Sequence, residues 1–177
     1  SGDYLIVYEA GSLALNGALV GDELDASGNS ISVTITDNTI VATDEVNASN
    51  FTIAKEDDDE YSIRSASGYY IGQTTNANDL KTNSTEYYAN TITLSNDDNA
   101  DVVSSGAYLR YNAATGNTNL RFRYYNSDNY TSQEDIALYR KAASYLYTTS
   151  PVCGPHLAIT EGKDIYVTGG NAGGIRD

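Results

Sequence analysis

Apolar and polar residues alternate in short runs from the start of the chain to about Lys141, and each run is closed by Gly, Asn, Asp or Ser. No stretch repeats its apolar positions with the 3.6-residue period of a helix. The alternation predicts strands over Tyr4–Glu9, Leu13–Leu15, Ser30–Ile35, Thr39–Ala42, Phe51–Ala54 and Tyr61–Ser65. It continues over Tyr69–Gly72, Thr91–Leu94, Asp101–Val103, Tyr108–Tyr111, Leu120–Tyr125 and Ile136–Arg140. An all-β fold follows.

A weak internal repeat runs through these strands. Tyr61 to Ile71 gives a strand, a small-residue turn with Gly68 and a Tyr-bearing strand; Asp101 to Leu109 repeats the plan around Gly106, and Tyr4 to Leu15 is a degenerate copy around Gly11. Three units of roughly 45 residues with about four strands each fit the arithmetic of a β-trefoil, which leaves few open strand edges. Tyr4–Glu9 and Ile136–Lys141 match in length and are expected to pair, bringing the ends of residues 1–141 together. The alternative is a β-sandwich, whose strands recur at similar spacing. Both prolines, Pro151 and Pro155, fall in 142–157, which therefore reads as a linker. Residues 158–177 read as a tail or as the start of an Ig-like β unit, with Ile159 and Ile165–Val167 in its first strands.

Charge narrows the function classes. The 24 acidic residues against 10 Lys and Arg give a formal net charge of -14, a field that repels nucleic-acid backbones and anionic lipid surfaces. No apolar stretch approaches the roughly 20 residues of a membrane span, so membrane insertion is not expected. The chain starts at Ser1 without a Met and closes on a Gly-rich stretch, which reads as a piece of a longer protein flanked by neighbouring domains.

Little in the sequence suggests catalysis. The single Cys153 and single His156 lie together in the Pro-flanked connector, whereas a nucleophile and its base normally come from separate, rigid parts of a fold. They also fall short of a zinc ligand set. The acidic runs Glu56–Glu60 and Asn96–Asp101 read as solvated turns without the spacing of a calcium loop. Gly169–Gly174 lacks the Lys and Ser/Thr of a phosphate loop. No metal or other cofactor is expected, and the chain is read as no enzyme.

Sugar recognition is the chemistry the residue types do offer. Aromatic faces stack on pyranose C–H patches while Asp and Asn satisfy hydroxyls. Arg121 to Tyr130 supplies Arg123, Tyr124, Asn126, Asp128 and Tyr130 around one turn, and these five are the candidate ligand-binding residues. Asn83 to Asn90, with Tyr87 and Tyr88, is a second such stretch. Because adjacent strand residues face opposite sides, only about half of these tyrosines are expected at the surface.

Phe51-Thr52-Ile53, an acidic turn, Tyr61-Ser62-Ile63-Arg64 and then Ser67-Gly68-Tyr69-Tyr70-Ile71 resemble the hallmark segment of ricin-B-like and fascin-like β-trefoils. The opening Gly2 to Glu9 and closing Ile136 to Lys141 are similar to a module repeated in large secreted proteins of gut Bacteroidetes. The resemblance covers about residues 2–141. It implies a β-trefoil on a secreted or cell-surface protein, with a glycan or a surface protein as partner. The Gln-x-Trp motif of sugar-binding ricin-like repeats is absent, since the chain has no Trp. The expected function is a non-catalytic carbohydrate-binding or adhesive module. The alternatives are a structural spacer or protein-interaction module, or an accessory domain of a secreted hydrolase.

Overall fold

The computed structural model describes residues 1–95, 97–116, 118–143, 145–149, 157–161 and 164–168. The first half contains strands β1 (Gly2–Tyr8), β2 (Leu13–Leu15), β3 (Ser30–Ser32), β4 (Thr39–Val41), β5 (Phe51–Asp57), β6 (Glu60–Ser65), β7 (Tyr70–Gly72) and β8 (Lys81–Asn83). The second half adds β9 (Thr91–Leu94), β10 (Asn99–Ser104), β11 (Ala107–Asn112), β12 (Arg121–Tyr125), β13 (Ile136–Ala142), β14 (Tyr145–Thr149), β15 (Leu157–Glu161) and β16 (Ile165–Thr168). Short helical turns interrupt them: the 3-10 turn η1 (Gly21–Asp25), α1 (Asp44–Ala48) and the 3-10 turn η2 (Tyr130–Ser132). The molecule is all-β, as the alternation predicts.

Its main element is one curled antiparallel sheet. β1 pairs with β13, Tyr4 opposite Arg140 through Val7 opposite Ala137, so the expected closure between the two ends of the domain forms. From β1 the sheet continues through β5 to β6, and from β13 through β10 to β9. The bridge between Tyr61 and Asn90 joins β6 to the segment entering β9 and completes the circuit. Three further pairings, β2 with β3, β7 with β8 and β11 with β12, project from this circuit. The repeated strand–turn–strand segments of the sequence are β1–β2, β6–β7 and β10–β11, which place Ile6, Ile63 and Val102, then Leu15, Ile71 and Leu109, in one core.

A second core lies on the outer face of β1 and β13. Ile6, Ile136 and Leu138 point into the main core, while Leu5, Val7, Ala137 and Tyr139 pack with Ile31, Val33, Ile40, Val46 and Tyr166. Burial on both faces explains why Leu5–Val7 and Ile136–Tyr139 are continuous apolar runs rather than alternating ones. Residues 165–168, read from the sequence as the opening of a separate unit, form part of this sheet: β16 pairs with both β13 and β4, and Tyr166 is fully buried. β14 and β15, partly within the segment read as a linker, make a two-stranded ribbon. Cys153, His156 and Gly169–Gly174 lie outside the described residues.

Candidate functional site

η1 brings the first of the three projecting hairpins over the second. Leu24 is the buried anchor of this turn, and one side of it presents Asp22 and Asp25, which a three-residue period places together. Across from it run Asp79, Leu80 and β8, with Tyr88 beyond. Between them lies a groove of about 480 Å³ lined by Asp22, Asp25, Ala26, Asp79, Leu80, Lys81, Thr82 and Tyr88.

Asp25, Asp79 and Lys81 are held in place by neighbouring groups. The Arg123 guanidinium grips the Asp25 carboxylate with two bonds, 2.8 Å from Nε and 2.7 Å from the terminal nitrogen, while Arg121 donates to the Asp25 carbonyl at 2.7 Å. Asp79 exchanges both backbone bonds with Tyr124, and its carbonyl also accepts from the buried Gln73 amide at 3.0 Å. Lys81 Nζ lies 3.2 Å from the Asp79 carboxylate. Partial burial raises the Asp79 carboxyl, but hydrogen bonds from the Lys81 ammonium and the Leu80 amide outweigh it and keep the group below the usual carboxylate range. The bond with Asp25 raises the Arg123 guanidinium further.

Tyr88 is equally fixed. Its hydroxyl donates to the Thr82 carbonyl at 3.2 Å, and its ring root rests on the backbone of Gly72, where an added Cβ would fall 2.2 Å from the Tyr88 Cβ. Asn90, almost fully buried, donates to the Tyr88 and Ile71 carbonyls at 3.1 and 3.2 Å and accepts from the Tyr124 hydroxyl at 2.7 Å. The groove therefore combines a fixed aromatic ring, ionised carboxylates, a hydroxyl and an ammonium.

The five residues singled out by the sequence do not converge on one surface. Arg123 reaches the groove through Asp25. Tyr124 is a core residue and not a surface one: it is fully buried, and its neighbour Tyr125 is only 5% exposed. The alternation argument fails here because the outer face of β12 is covered too, with Tyr125 beside Arg121, Arg123 and Asn112. Asn126 builds its own turn, accepting from the Asp128 amide at 3.1 Å, and its backbone N–H donates to Asn78 at 2.8 Å. Asp128 is exposed on that turn. Tyr130 is half-buried and stacks on Tyr108 at 3.8 Å; both rings flank Arg110, itself buried and paired with Asp101 and Asp135. Its position is explained by packing.

From the second stretch, Tyr88 enters the groove, while Tyr87 is 43% exposed and donates to Glu60 at 2.8 Å. Sequence reading missed Asp22, Asp25, Asp79, Lys81 and Thr82. The Asp-x-x-Asp spacing of Gly21–Asp25 was the available signal for two of them. Glu56–Glu60 is a hairpin tip between β5 and β6, with Asp59 in the left-handed region. Among the described residues no three acidic, His or Cys side chains gather closely enough to hold a metal ion, and no helix is long and apolar enough to cross a membrane.

No protein-family model matches the chain, and it has no match among curated proteins or solved structures.

Proposed function

We propose that this chain is a non-catalytic carbohydrate-binding or adhesive module, built as a β-trefoil and carried by a secreted or cell-surface protein. A circuit of six strands with three projecting hairpins is the plan a β-trefoil requires, and the three repeated segments supply it in order. The observation that carries the binding reading is the groove beside η1. Tyr88 offers a ring held from behind, and Asp22, Asp79, Thr82 and Lys81 offer hydroxyl partners around it, the combination that pyranose recognition uses. Tyr88, Asp79 and Lys81 are held by their own contacts before a ligand arrives, which lowers the cost of binding. The Asp79 carboxyl, held below its usual range, stays ionised at neutral pH and offers ligand hydroxyls an acceptor.

A glycan-array screen of the intact chain tests the proposal. Binding is expected to weaken roughly tenfold in Tyr88→Ala, about 1.4 kcal/mol, and to persist in Tyr88→Phe, which keeps the ring. Silence of the folded protein across a broad array would sink the reading in favour of a spacer or protein-interaction module. That second reading is favoured by the burial of Tyr111, Tyr124, Tyr125, Tyr139 and Tyr166, which spends much of the aromatic content on packing.

A further inference from the structure

The groove has a charge preference that its shape alone would not give it. Three carboxylates, Asp22, Asp25 and Asp79, face two cations, Lys81 and Arg123. Both cations are already engaged: Arg123 bonds both Asp25 oxygens, and Lys81 lies 3.2 Å from Asp79. Asp22 is exposed at the rim, so a ligand approaching Tyr88 meets a net negative opening. The chain's net charge of -14 adds a repulsive field of the same sign. A ligand carboxylate or sulfate would have to displace Asp25 to reach Arg123, and at Lys81 it meets an ammonium whose charge the neighbouring Asp79 already offsets.

Resting on the reading of this groove as a saccharide site, we propose that it takes uncharged saccharides and rejects uronate- or sulfate-bearing ones, with Asp22 as the discriminating residue. Ligand hydroxyls donate to the exposed carboxylate oxygens and accept from Lys81, while the sugar's apolar face lies against Tyr88. A carboxylate placed about 4 Å from Asp22 in a water-like medium is penalised by at least about fivefold.

The test uses the full chain against matched fragments: neutral glucan, galactan, mannan and xylan beside galacturonan, glucuronoxylan and a sulfated galactan, each at low and high salt. The expected result is binding to at least one neutral fragment, at least about fivefold weaker binding to its acidic counterpart, and a gap that narrows as salt screens the charges. Asp22→Asn is expected to recover most of that gap. Asp37→Asn, which removes the same charge from the turn before β4, is expected to leave it unchanged. Acidic fragments bound as tightly as neutral ones would overturn the charge preference while leaving the module reading intact. Equal recovery in the two variants would overturn the role of the groove, and silence toward every fragment would overturn both proposals together.

Discussion

Asn90 shows how single side chains couple the interior to the groove. Its amide donates twice to carbonyls, and its oxygen accepts a hydrogen bond from the Tyr124 hydroxyl, so a buried group is satisfied by protein partners. Burial raises the Tyr124 phenol far above its ordinary value, keeping it a neutral donor. Tyr124→Phe removes that donor while preserving the ring, leaving the Asn90 oxygen buried and unpaired. The expected cost is ~1–3 kcal/mol, read as a lower urea midpoint with an unchanged slope. A midpoint matching the parent protein would show that the bond carries no net stability. The sequence made Tyr124 a surface candidate because Arg, Asn and Asp crowd it in the chain. Those neighbours serve turns and ion pairs, and nothing in a linear pattern reveals that β12 is covered on both faces.

At the scale of elements, the short strands were legible because their apolar positions are few and their turn residues are strong. Phe51, Ile53, Ile63 and Ile71 sit in the core where alternation puts them. β8 was not legible, since Lys81-Thr82-Asn83 has no apolar residue and is placed by its pairing with β7 and by the Tyr88 hydroxyl on the Thr82 carbonyl. Lys81 and Thr82 also line the groove, so part of the site that sequence missed lies on the element it missed. β16 was legible as a strand but not in its placement, because a strand separated from β13 by more than 20 residues finds its partners through tertiary contacts rather than local pattern. Tyr166 anchors it, donating to Asn47 at 2.9 Å and accepting from Asn50 at 3.1 Å while its ring fills the outer core. Tyr166→Ala is expected to destabilise the protein by ~3–5 kcal/mol. Hydrogen exchange should accelerate most at β4, which depends on β16 for its pairing, and least at Ile53 and Ile63 in the main circuit. Equal acceleration at both places would sink the idea of a separable outer layer.

The molecule as a whole stores its aromatic content as neutral phenols in a strongly negative body, and this sets its behaviour at high pH. Burial raises the Tyr111, Tyr125, Tyr139 and Tyr166 phenols as it does Tyr124, and at Tyr139 the hydrogen bond to Glu9 adds to the effect. With folded values above the unfolded value of about 10, the native state holds protons that the unfolded chain releases. Their contribution is complete below about pH 10 and is lost as pH rises through that value toward the folded ones. Each such group lowers stability by up to about 1.4 kcal/mol per pH unit in that window. Fresh phenolates also add to a charge that is already repulsive at -14. Urea titrations between about pH 9 and about pH 11 should therefore show a steep fall in unfolding free energy. Phenolate absorbance should rise in two stages, the exposed tyrosines first and the buried group together with the loss of native circular dichroism. Stability that stays level through the window, or buried phenols that ionise while the fold persists, would mean that these side chains are solvated in the native protein and that the two cores are looser than their burial indicates.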